Sequence, residues 1–199
     1  MEQAGTTRLQ TFSDGVFAIA ATLLVLELSV DTADGPRLGH ALLELWPSYL
    51  AYVTSFLTIG IIWMNHHTCV ETMARVDRVL LFLNTVLLLI VAFLPFPTRL
   101  VAQFLDAPGE QTAVYAYDAT FVAMSVVYNS WWRYASRGRR LIADGVPDSR
   151  IRAISRAFDP GVPIYAATLL VAVFSPLASV FLTFAIAAFY LPSAALFER

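Results

Sequence analysis

The chain has no lysine, a single cysteine and little charge of either sign. Its 13 basic residues are all arginine, set against 15 acids and giving a net charge of −2 over 199 residues. No broad basic face can be built from so few cations, which excludes nucleic acid as a partner. Lone Cys69 rules out an internal disulfide and leaves a cysteine-based zinc site without its other ligands. Also missing are a Ser/His/Asp or Cys/His constellation, a glycine-rich loop to cradle phosphate, an HExxH pair and the TVGYG filter of ordinary potassium channels. The chain therefore carries no catalytic residues, and no metal or other cofactor is called for.

Hydrophobic residues make up 58% of the sequence and charged residues 14%, where soluble domains carry about 25% charge. The apolar residues run in long blocks, so lipid rather than a buried core is their solvent. The fold class expected is all-α: one polytopic domain over residues 1–199 with six membrane-crossing helices. The spans fall at about residues 9–30, 45–66, 79–100, 113–134, 160–175 and 177–195. Pro95 and Pro97 should kink or end the third span, and Ser175-Pro176 should break the last apolar stretch into a hairpin. The first span reads as a retained helix rather than a cleaved leader, because its apolar run holds an acid and lacks a clean cleavage site.

Arginine placement sets the orientation. With six spans, Arg8, Arg75, Arg78, Arg133, Arg137, Arg139, Arg140, Arg150, Arg152, Arg156 and Arg199 share one side, while Arg37 and Arg99 lie on the other. Positive charge stays on the cytoplasmic side of a membrane, so both termini are expected there, in a cell-membrane protein. Arg133 to Asp159 forms the sizeable polar loop, with helix-friendly spacing from Ser149 to Phe158. Its seven arginines fit a solvated loop that fixes topology, or a site for an anionic ligand or lipid.

Polar residues inside a span are expensive and demand a role. In the first span, Asp14, Ala18 and Thr22 recur at i, i+4 and i+8 beside a stripe of Ile19, Leu23 and Leu26 at i, i+4 and i+7. The aliphatic stripe is either ordinary lipid-facing or packing surface or, with several copies around an axis, a set of apolar rings that gate by dewetting. At the same membrane level, Arg8, Ser13 and Asp14 can meet Trp63, Asn65, His66 and His67. There Arg8 or a histidine would pair with Asp14, and Ser13 and Asn65 would satisfy the remaining donors and acceptors. A proton relay through Asp14 and His66, or a metal at His66 and His67, is the functional alternative to such a structural network. Toward the other side, Asp118 reads as interfacial, and Glu27 as interfacial or as part of an acidic pore mouth.

Arg8, Phe12, Ser13 and Asp14, followed by Ile19 and Leu23, also resemble the RxxxFSD signature and constriction of the transmembrane protein 175 family of potassium channels, in its single-repeat prokaryotic form. The stretch from Trp63 to His66 is similar to that family's polar partner segment. The resemblance implies a homotetramer in membrane lipid, conducting potassium ions along an axis lined by the first span of each copy. By the same resemblance Ile19, Leu23 and Leu26 form the constriction. Thr22 supplies a hydroxyl near it, since Ala18 stands where two-repeat animal members carry a serine in one repeat. Arg8, Phe12, Ser13, Asp14, Trp63, Asn65 and His66 form the structural network. The competing expectation is a proton-coupled secondary transporter using Asp14 and His66 as carriers.

Overall fold

The computed structural model describes the backbone of residues 2–29, 35 and 37–196, and the side chains of 5–29, 35 and 37–192. Arg199 lies outside the described residues. Helix α1 runs Glu2–Leu23 and tightens into a 3₁₀ turn at Leu24–Glu27. The short α2, Leu38–Glu44, leads into α3, Trp46–Glu71, whose first turn holds Pro47, where the missing N–H has no partner to lose. Helix α4, Arg78–Phe93, is capped by Asp77, which accepts the Leu80 N–H at 2.8 Å. Then follow α5, Pro95–Phe104; α6, Glu110–Ser136; α7, Asp148–Phe158; α8, Gly161–Phe174; and α9, Pro176–Leu196. Among the described residues the architecture is helical throughout, apart from one isolated bridge between Met73 and Ile142.

The proline breaks fall where the sequence puts them. Pro95 cannot donate to the α4 ladder, so α4 and α5 meet at Leu94 in a kinked segment, Arg78–Phe104. At Ser175 the backbone turns extended, and its hydroxyl accepts the Ala178 N–H at 3.3 Å to start α9. The return from α5 to α6 needs Gly109 at φ +102, a left-handed conformation that disfavours side chains. A Cβ there would also come within 3.2 Å of the Phe104 ring.

Among the described residues four segments are long and apolar enough to cross a membrane: Gly5–Glu27, Trp46–Glu71, Arg78–Phe104 and Asp148–Phe174. The apolar part of α9, Pro176–Pro192, is shorter, and the 27-residue α6 carries Glu110, Asp118, Asn129 and Arg133. Helix α6 is the hub. It packs on α4, α5 and α8 and buries Tyr117, Phe121, Trp131 and Trp132 completely or almost so, while α3 packs on α1, α5 and α9.

Three arginine-bearing segments gather at one end of the bundle. The Met73–Ile142 bridge, with Ala74 N–H to Leu141 O and Ala143 N–H to Thr72 O both at 2.9 Å, ties the α3–α4 loop to the α6–α7 loop. Gly5 at the start of α1 abuts Val76 in the same loop. The opposite end joins Glu27 to Arg99 at 3.6 Å.

Asp118 departs from the interfacial position expected of it. It is fully buried in α6, with the Ser179 hydroxyl 2.5 Å from Oδ2 and that hydroxyl also 2.7 Å from the Thr168 carbonyl. The α8–α9 hairpin causes this by folding Ser179 back over α6, a contact between residues far apart in sequence.

Candidate functional site

Helix α1 has two faces of opposite fate. Leu9, Ser13, Phe17, Ala20 and Leu24 recur every three or four residues and are buried against α3 and α4. The other face stands open: Phe12 is 63% exposed, Ile19 62%, Leu23 42% and Leu26 70%. The 3₁₀ turn carries Leu26 outward together with the other two. Thr22 lies on this open face and donates to the Ile19 carbonyl at 2.9 Å, which leaves its oxygen free to accept.

A chain of hydrogen bonds anchors the buried face. Ser13 spends its one hydroxyl proton on the Leu9 carbonyl, 2.8 Å away, so its oxygen can only accept from Asn84 Nδ2 at 3.0 Å. That fixes the Asn84 amide: its Oδ1 faces His66 Nε2 at 2.8 Å and accepts the ring proton there. His66 is fully buried, stacked on Trp131 with centroids 4.8 Å apart and met by the edge of Phe17 at 5.5 Å. Three helices, α1, α3 and α4, are thereby pinned at one level.

The expected network is thus rewired. Asp14 accepts from the Trp63 indole N–H at 2.8 Å, and neither Arg8 nor a histidine bonds to it. Arg8 is exposed and forms no ion pair among the described residues. Asn65 turns away from α1 into a crevice with Tyr128, Asn129 and Phe158, because one residue along a helix rotates a side chain by about 100°. Asn84 takes the part expected of Asn65. Sequence reasoning missed it, although it is the amide within the apolar run of α4 and so was visible as an exception. His67 meets Gln10 at 2.5 Å and Glu71 at 3.2 Å, and no group of three potential metal ligands forms among the described residues.

Beside the anchor a groove of about 470 Å³ opens between α1 and α3, lined by Asp14, Ala18, Ala21, Phe56, Gly60 and Trp63 among others. At the far end of α1, Glu27 is only 15% exposed and is held against Arg99. The one carboxylate lining the groove, Asp14, is held by the Trp63 indole N–H. The arrangement offers one helix fixed firmly on one side and left bare, aliphatic and hydroxyl-bearing, on the other.

The chain is similar in sequence and in overall fold to known proteins. A family model described as the endosomal/lysosomal potassium channel TMEM175 matches residues 8–95. A potassium channel of Chamaesiphon minutus is 38% identical over 192 residues, 95% of each chain. A potassium channel of Streptomyces collinus is 43% identical over 171 residues, 85% of this chain and 82% of that one. The crystal structure of a lysosomal potassium-selective channel TMEM175 homolog from Chamaesiphon minutus superposes with a TM-score of 0.86 at 36% identity, covering 95% of this chain and 97% of that one.

Proposed function

The chain belongs to the TMEM175 family of ion channels and is not an enzyme, and from that premise we propose that it is a potassium-selective channel assembled as a homotetramer in the cell membrane. The observation that carries this reading is the bare face of α1, where Ile19, Leu23 and Leu26 stand exposed beside a face fully engaged with α3 and α4. Four such faces around an axis make stacked aliphatic rings. A ring of that kind sheds water when narrow and so blocks ions until the helices move apart. Thr22 brings the polar oxygen that a partly dehydrated cation needs at that level.

In this reading the Ser13–Asn84–His66 chain and the Asp14–Trp63 bond are positioning devices. They hold α1 at a set depth and rotation, which a constriction without a filter loop requires. Phe12, Arg8 and the groove between α1 and α3 face a neighbouring copy, whose side chains fill the groove. Glu27, already offset by Arg99, is assigned a structural part rather than the concentration of cations at the outer mouth. All six expected spans belong to one domain over residues 1–199, with α6 and α9 as the more polar and the shorter member and both termini cytoplasmic. The gathering of arginine-bearing loops at one end of the bundle supports that orientation.

The proton-coupled transporter reading needs Asp14 and His66 to exchange a proton, but their hydrogen bonds run to Trp63 and to Asn84. The deciding experiment is ion flux in liposomes containing the purified protein under potassium and then sodium gradients. Potassium-favouring flux is the expected result, and no flux in either gradient overturns the proposal.

A further inference from the structure

The geometry points to a binding site for an anionic phospholipid on α7, with the lipid phosphate held by Arg152 and Arg156. Helix α7 is amphipathic. Ile151, Ile154, Ser155 and Phe158 face the bundle, where Trp132 donates its indole N–H to Ser155 at 3.0 Å and Phe158 meets Tyr128 edge-on at 4.9 Å. Arg150, Arg152 and Arg156 stand exposed on the other side.

The acids that bracket the helix are already occupied: Asp148 pairs with Arg139 at 2.5 Å, and Asp159 with Arg133 at 2.8 Å. Among the described residues Arg152 and Arg156 meet no carboxylate. Being four residues apart on a helix, they lie about 6 Å from each other, close enough for two guanidinium forks to converge on one phosphate.

The depth of this patch favours a lipid over a free anion. Only Asp159 and Pro160 separate α7 from α8, and Asp148–Phe174 together are long and apolar enough to span a membrane. The arginines therefore sit where the chain enters the bilayer, at headgroup level. On the bundle side of the same helix end, Ala157 and Phe158 border a cavity of about 90 Å³ that also touches Asn65, Gly161, Tyr165 and Tyr190. Its largely apolar lining suits part of an acyl chain. Basic amphipathic helices at an interface gain from both terms, burial of the apolar face and attraction to anionic lipid.

The test is native mass spectrometry of the purified full chain in detergent, titrated with phosphatidylglycerol or phosphatidylcholine of matched acyl chains. Phosphatidylglycerol adducts should dominate, weaken as salt rises, and fall roughly fivefold for each arginine removed in R152Q/R156Q. The charge-conserving R152K/R156K should keep most of the preference, and inorganic phosphate should not displace the lipid. Equal uptake of the two lipids overturns the proposal, as does a preference that survives R152Q/R156Q or complete displacement by inorganic phosphate. Should R152Q/R156Q fail to fold, a wild-type preference indifferent to salt overturns it equally well. Ion flux does not enter this measurement, so failure of the channel reading leaves its result intact.

Discussion

Trp63 donates its indole N–H to Asp14 across 2.8 Å, joining the third helix to the first at a half-exposed position beside the open groove. A hydrogen bond to a charged acceptor contributes about 1.5–3 kcal/mol when well buried, and partial exposure should reduce that to about 1 kcal/mol. Asp14→Ala and Trp63→Phe should each lower the melting temperature of the detergent-purified protein. The double variant should lose about 1 kcal/mol less than the sum of the two. Strictly additive losses would show that the bond contributes nothing to holding α1 on α3.

Asn84 and Asn65 separate network from bystander. Replacing Asn84 by Leu strands the Ser13 hydroxyl oxygen and the His66 Nε2–H in a buried site, for a loss of about 2–4 kcal/mol, since each unsatisfied group costs about 1–2. Asn65→Leu touches only the partly exposed crevice and should change stability by less than about 1 kcal/mol. Thermal unfolding of both variants decides it, and the reverse order of losses would contradict the hydrogen-bond chain described above.

The same pair of asparagines shows how far the sequence could be read. Spacing alone found the stripe Ile19, Leu23 and Leu26, a property of a single helix, and the arginine-based topology put the polar ends of the first and second spans at one level. Neither could say which neighbouring helix meets His66, since Asn84 reaches it from a third helix and Asn65 lies about 100° off on the same one. Asp118 failed for the same reason. An acid near the start of a span reads as interfacial until the Ser175-Pro176 turn is seen to fold Ser179 over it. Breaks written into the backbone, at Pro95 and Pro176, were legible because proline acts locally.

Asp77 offers a pH readout outside the membrane-spanning segments. Desolvation alone would raise its carboxyl, but the Leu80 and Val79 backbone N–H groups, the Tyr134 hydroxyl at 2.7 Å and nearby Arg140 outweigh that and hold it below the ordinary carboxylate range. A carboxyl depressed in the folded state adds stability above its unfolded value and loses it as pH falls through the folded one. Asp77→Asn should therefore melt below the wild type at neutral pH, with the gap closing as the solution is acidified below the usual carboxylate range. Asp77 is only half-buried, so the gap should be small; one that widens toward acid would reverse the sign and refute the assignment.

The open face of α1 makes the sharpest functional prediction. If Ile19 and Leu23 form rings that exclude water, an asparagine at either position lets water in and lowers the barrier to ion passage. Ile19→Asn and Leu23→Asn should then raise flux or erode the preference for potassium over sodium in proteoliposomes. Leu89→Asn is the control, because Leu89 is comparably exposed, at 68%, but belongs to α4 rather than α1, and should leave selectivity alone. Unchanged currents in both α1 variants would remove these residues from the pore, whereas equal disturbance in all three would mean that the polar group harms the fold and not the constriction.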